Sequence, residues 1–392
     1  MFKGEKLEEI RLLNGMSREE LAKKIGVSEQ AIWQFETNKI KPKLSPTIIS
    51  LAMLYKVDID FFESSPMASS VVRGNISFKG MDLSSKKSIK TQMIYADFVH
   101  NLISLLDNYL TSPTKTIYSL IEEVDHLMEK GINRKELIER TAQIARELIG
   151  VHGNNDDLLY KLEMSGINVL SRFGTKENIR ESYSFWNIDD VPYLVLAVGK
   201  TFVNRNFDLA YELGHLLLHR AVDFEVLDNS ERFDKEQEAS EFAINFLLPE
   251  AEFIKAFESL VGSRVSQPDQ YISLKQHFNV SIKILEFKAF RLGYLTPAQN
   301  NYFFRQMHKK NYKKLEPLDR DIPVYKAGKI LSMIDVVLNS NSMNIQDLAR
   351  LMHVSKELLA CILNVELTFF DGYKRLVRDD GKVISISKVE TD

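Results

Sequence analysis

Residues 207–220 constrain the chain more than any other stretch. Leu209, Ala210, Leu213, Leu216, Leu217 and Leu218 make it almost continuously apolar, and Gly214 is its only helix-weakening residue. It predicts a buried or half-buried helix against which other elements must pack. Tyr211, Glu212, His215 and His219 interrupt the apolar run. Helical residues three and four apart share a face, so these four side chains can converge. A buried carboxyl and imidazole without partners are costly, so their presence calls for a chemical reason. The spacing is that of a zinc helix, His-Glu-x-x-His, with Tyr211 in place of the first His.

A chain of 392 residues has room for two or three domains. Its 44% hydrophobic and 27% charged residues are those of an ordinary globular protein. The formal net charge of -3 provides no global basic field, so any nucleic-acid contact must come from a local patch. A single cysteine, Cys361, excludes an internal disulfide and a four-thiolate zinc site. Its apolar neighbours, Leu358, Leu359, Ile362 and Leu363, predict a buried, inert thiol. The first residues lack an apolar signal region, and no stretch reaches the ~18 apolar residues of a membrane span. The expected location is the cytoplasm.

Near the N-terminus, Leu7, Ile10 and Leu13 have helical spacing, and Asn14-Gly15 ends the helix. Ser17 and Glu20 form a capping box for a second helix that stops at Gly26, and Ser28 caps a third. Two short helices joined by a glycine-containing turn form a helix-turn-helix unit, whose second helix can enter a major groove. The order Met16-Ser17-Arg18-Glu19-Glu20-Leu21-Ala22, Ile25-Gly26-Val27-Ser28, Ile32, Glu36 and the tail Asn38-Lys39-Ile40-Lys41-Pro42 resembles the lambda-repressor-like, XRE-type DNA-binding domain. That resemblance implies that Ala22 and Ile32 pack the core. It sets Gln30 and Gln34 against base edges, with Ser28 and Ala31 beside them, and Arg18, Asn38, Lys39 and Lys41 against phosphates of double-stranded DNA. Residues 1–64 carry ten Lys/Arg and ten Asp/Glu, a net charge of zero, and Glu29 lies on the presumed reading helix. Weak intrinsic affinity makes a homodimer the expected binding form.

A serine-rich linker occupies residues 64–70, and residues 88–110 read as a long amphipathic helix. Helical periodicity follows over residues 118–149, with a break at Gly131. Strands are expected at residues 167–170, 183–186 and 192–198, the last two as a pair. Beyond the 207–220 helix, residues 236–249 form another helix, which Pro249 ends.

Tyr211-Glu212-Leu213-Gly214-His215, followed by Glu236-Gln237-Glu238-Ala239-Ser240-Glu241-Phe242-Ala243 and Leu247-Leu248-Pro249, resembles the ImmA/IrrE family of metallopeptidases over residues 120–295. The resemblance implies a zincin-like body, Glu212 as general base, His215 as a zinc ligand and Glu236 as the ligand from the second helix. Zinc hydrolases use three protein ligands and an open position for water. Tyr211 is a poor third, because a phenol ionises only near ~10. Three readings stay open. The body is a pseudo-enzyme holding little or no zinc; or Tyr211 as phenolate, or His219, completes a metal site; or the helix match is only a core motif.

Residues 301–312 are aromatic and basic and predict a helix with one buried aromatic face. An internal echo follows: Met343, Leu348, Ala349, Val354 and Ser355 repeat Met16, Leu21, Ala22, Val27 and Ser28 at an offset of 327. The helix after this second unit is too apolar to read a groove, which points to packing or dimerisation.

The expected fold is mainly α with a small β-sheet (α+β). An all-α helix-turn-helix head covers residues 1–64, and a linker and connecting helix cover 65–115. A zincin-like body covers 116–295 and a helical tail 296–392. The expected function is a DNA-binding transcriptional regulator, in a phage, stress or defence setting, whose body senses a signal or holds a protein or peptide in its cleft. The alternatives are an active zinc endopeptidase cleaving a partner regulator and an antitoxin-like binding module.

Overall fold

Capping chemistry places the second and third helices where the sequence predicts them. A computed structural model of the chain describes residues 1–42, 44–64, 69–78, 86–110, 115–171, 182–340, 342–373, 377–379 and 382–384. The serine-rich linker at 65–68 lies outside the described residues. Helix α1 spans Gly4–Leu13, α2 Arg18–Ile25 and α3 Glu29–Glu36. Ser17 Oγ accepts from the Glu20 amide at 3.0 Å while Glu20 Oε2 accepts from the Ser17 amide at 2.8 Å, a complete capping box. Gly26 turns the chain at φ +71, and Ser28 Oγ accepts from the Ala31 amide to start α3. Ile32 and Ala22 are buried, as the resemblance implies. A Cβ at Gly4 would stand 2.1 Å from the Phe35 carbonyl oxygen, so only glycine lets α1 approach the end of α3 this closely. Helix α4 (Ile49–Tyr55) completes the head.

A short strand β1 (Ser77–Phe78) leads to α5 (Lys86–Asp107), then α6 (Thr116–Glu129), α7 (Arg134–Ile149) and α8 (Leu158–Met164). Gly131, at φ +65, makes the predicted break between α6 and α7. Strands β2 (Asn168–Ser171), β3 (Tyr183–Trp186) and β4 (Pro192–Leu196) join β1 in a four-stranded sheet of order β1-β3-β4-β2. β3 and β4 pair antiparallel, with Phe185 opposite Tyr193, while β2 runs parallel to β4.

The sheet partitions two cores, because alternate strand residues face opposite sides. Leu194, Leu196 and Trp186 enter the core of the body. Tyr193, Val195, Tyr183 and Phe185 enter a second core. That second core also holds Leu7 and Ile10 of α1 and Phe98, Val99 and Leu102 of α5. The helix expected as a connector is thus an internal element, clasped by the head on one side and the sheet on another.

Behind the sheet lie α9 (Phe202–Leu218) and α10 (Asn229–Leu247), followed by α11 (Glu250–Leu260), α12 (Ile272–Phe278), α13 (Ile282–Arg291) and α14 (Pro297–Lys309). In α14, Phe303 and Met307 are buried while Tyr302 and Phe304 stay exposed, the one-sided helix that the sequence predicts. The tail comprises α15 (Lys329–Asn339), α16 (Ile345–Leu351), α17 (Lys356–Leu363) and a small ribbon of β5 (Val377–Asp379) and β6 (Lys382–Ile384). At the offset of 327, α16 and α17 fall on residues 18–24 and 29–36, which are α2 and α3. His353 takes the left-handed position of Gly26, at φ +54. The tail unit packs on the head: Ser355 N donates to Lys56 O at 3.0 Å, beside a Val57–Val354 bridge.

The fold is mainly α with a small β-sheet, as expected. Among the described residues no helix is long and apolar enough to cross a membrane. Cys361 is a correction. It is exposed, because α17 buries Leu358, Leu359 and Ile362 and turns this position outward.

Candidate functional site

Helix α9 is buried along nearly its whole length, and Tyr211, Glu212, His215 and His219 are all within 4% of full burial. A Cβ at Gly214 would meet the Phe242 ring at 2.9 Å, so this glycine sets the close approach of α9 to α10. The approach brings Glu236 and Glu238 over the polar face of α9. The Tyr211 hydroxyl donates to Glu236 Oε2. His215 Nε2 lies 3.8 Å from Glu236 Oε1. On the strand side, Ser184 of β3 donates to Glu212 Oε2 at 2.8 Å and contacts its carbonyl oxygen at 3.1 Å. Ser184 reaches α9 because its neighbours Tyr183 and Phe185 point to the other core.

A chain of hydrogen bonds assigns the tautomers. His219 Nε2 stands 2.7 Å from Glu238 Oε2, and its Nδ1 is 3.0 Å from His215 Nδ1. Arg134 Nη2 also donates to Glu238 Oε2, at 2.6 Å. Burial works to raise the Glu238 carboxyl, but the hydrogen bonds from His219 and Arg134 outweigh it and hold the group well below the carboxylate range. Burial lowers His219, against the pull of Glu238, so the ring is neutral. An anionic Glu238 accepts the Nε2 proton of His219, which leaves His219 Nδ1 as an acceptor for the Nδ1 proton of His215. His215 Nε2 therefore carries a lone pair toward Glu236. His219 has both ring nitrogens engaged, by His215 and Glu238, which suits an outer partner that orients His215 rather than a ligand.

Tyr211 behaves in the opposite way. Burial, then the charge of Glu236 and the hydrogen bond to it, push its phenol far above the ordinary value, so it stays protonated. The phenol proton also occupies an oxygen that a metal would need. His215 and Glu236, the two ligands that the resemblance implies, would be two donors where a zinc hydrolase needs three. The residues present do not fit a three-ligand zinc site. Among the described residues no group of three His, Cys, Asp or Glu is placed to hold a metal ion.

In the head, Ser28, Glu29 and Gln30 are exposed at the start of α3, and Ala31 and Gln34 are half-buried on the same side. The Ser28 hydroxyl is used as the cap of α3. Lys39 and Lys41 are exposed, with Lys39 Nζ 4.1 Å from the Trp33 ring centre and Lys41 Nζ against Met1 Sδ. Two residues expected at phosphates also make contacts within the head. Asn38 accepts from the Gly4 amide and donates to Glu5, and Arg18 donates to Glu36 at 2.6 Å. Sequence reasoning missed the Arg11–Glu36 pair beneath them, 2.5 Å apart and buried on both sides. A signal was present, since both charges sit among apolar helical neighbours. Sequence reasoning also missed Ser184, because its partner lies on another element.

Residues 7–62 match the family model described as helix-turn-helix, and residues 162–290 match that of the IrrE N-terminal-like domain. No curated protein matches the chain. The chain therefore carries an XRE-type helix-turn-helix domain, a DNA-binding fold, together with an IrrE-like domain of the M78 peptidase family.

Proposed function

We propose that this protein is a transcriptional regulator whose peptidase-like body is a pseudo-enzyme kept as a sensing and interaction module. The observation that carries the reading is the Tyr211–Glu236 hydrogen bond, which fills the first ligand position and engages the carboxylate of the second helix. The body shares its sheet with the core that holds the head, so a change behind the sheet has a packed route to α3. Double-stranded DNA is the partner, bound by a homodimer, since a head of zero net charge makes too few phosphate contacts alone. Such a regulator works in the cytoplasm. The rival reading, an active zinc endopeptidase, draws on the retained Glu212 and on the lone pair at His215 Nε2.

The DNA half of the proposal is tested by base preference. Gln30→Ala and Gln34→Ala are each expected to cost about 1–3 kcal/mol against the preferred duplex, and little against a scrambled one. Lys39→Ala should weaken both duplexes alike and lower the salt slope by about one. Competition binding with the full-length protein reads both effects. Unchanged preference in both glutamine variants would remove α3 from base reading.

A further inference from the structure

A cavity of about 590 Å3 opens where α5, α8, β4 and α15 meet, on the opposite side of the sheet from the Tyr211 cluster. Its size is that of a small-molecule site. Apolar walls come from Ile103, Leu110, Met164, Val191, Met333 and Val336, and the two methionines can adapt to a flat ring. His100 and Tyr193, hydrogen-bonded at 2.7 Å, form the polar floor.

Two cations line it. Lys329 Nζ is held by neutral acceptors: Asn168 Oδ1 at 2.8 Å and the carbonyls of Gly166 and Ile167 at 3.3 and 3.4 Å. Burial, and then the nearby charge of Lys115, pull its amine down to about 8, so it remains largely charged near neutrality. The hydrogen-bond partners of the Lys329 ammonium among the described residues are these neutral oxygens, and the carboxylates of Glu163 and Asp107 raise its affinity for a proton only through their charge. Two acids share the wall. Glu163 is already satisfied by the backbone amides of Gly328 and Lys329, at 3.0 and 2.9 Å, and Asp107 sits at the end of α5. Glu163 and Asp107 act on the Lys329 ammonium only through space and leave its hydrogen bonds to neutral acceptors, so a buried ammonium beside a second one still favours an incoming anion.

We propose that this cavity binds a small organic anion, a flat apolar body over the methionine wall with its carboxylate between Lys115 and Lys329. The inference deepens the sensing part of the proposed function by naming its ligand class. α5 and α15 are the walls that share a core with the head, so ligand occupancy presses on the elements that position α3.

The test uses the full chain and three isosteric probes: 1-naphthoate, 1-naphthalenemethanol and 1-naphthylmethylamine. Calorimetry should show naphthoate bound about tenfold or more tightly than the alcohol, the fold-change of one charge-assisted hydrogen bond, with the amine weakest. Lys115→Gln and Lys329→Met should each abolish that preference while the alcohol still binds. Should Lys329→Met fail to fold, Lys115→Gln together with Ser332→Trp, on an exposed face at the cavity, keeps the test decisive. Ser332→Trp should block all three probes. Equal binding of the three compounds, or naphthoate binding indifferent to Lys115→Gln and Ser332→Trp, overturns the proposal. Because binding is read without DNA, failure of the regulator reading would leave this result standing.

Discussion

Tyr211→His is expected to take the purified protein from well below one zinc per chain to about one. The substitution places an imidazole at the i-4 position from His215 and releases Glu236 from the phenol that donates to it. Nothing else has to be built. His215 already directs a lone pair toward Glu236, because Glu238 fixes His219 and His219 fixes His215. A third ligand should raise zinc affinity by more than the ~10–100-fold that outer-shell partners supply. His219→Ala in the Tyr211→His background should lose about 10–100-fold of that gain, since only ring orientation is removed. Elemental analysis and competition with a metal indicator read both effects. The same variant is the one to assay for peptidase activity, because the general-base position is still a carboxylate, Glu212. Stoichiometric zinc in the unmodified protein, lost on Tyr211→Phe, would make the phenol a ligand and the pseudo-enzyme reading untenable.

The second large effect concerns the head. Glu36→Ala should destabilise it by about 3–5 kcal/mol, because a buried guanidinium is left without its counter-charge. Arg11 and Glu36 have side-chain exposures of only 5% and 1%, and Arg18 leans on the same carboxylate. This loss is a large share of the ~5–15 kcal/mol that holds a typical domain together. Trp33 lies on α3 and Trp186 in the body core, so urea unfolding in a Trp186→Phe background reports the head alone. The midpoint should fall, and DNA binding should fall with it. Glu19→Ala, which breaks an exposed pair with Lys23, should leave the midpoint where it is. A midpoint unmoved by Glu36→Ala would show that Arg11 finds water or another acceptor.

What the sequence determined by itself is local. Ser17, Glu20, Gly26 and Ser28 write the helix-turn-helix through bonds spanning only three or four residues, and the tail echo could be read for the same reason. The apolar run of α9 and the strand pair of β3 and β4 are equally local, since periodicity records which face is buried. The polar residues of α9 were visible too, and so was the anomaly at Tyr211. Tertiary structure decided their partners. Asn38 meets the start of α1 because Gly4 lets two helices approach closely. Ser184 meets Glu212 because strand alternation and register turn it toward α9. The same contest turned Cys361 outward and α5 inward: an apolar segment names a helix with a buried side, but packing chooses which side that is.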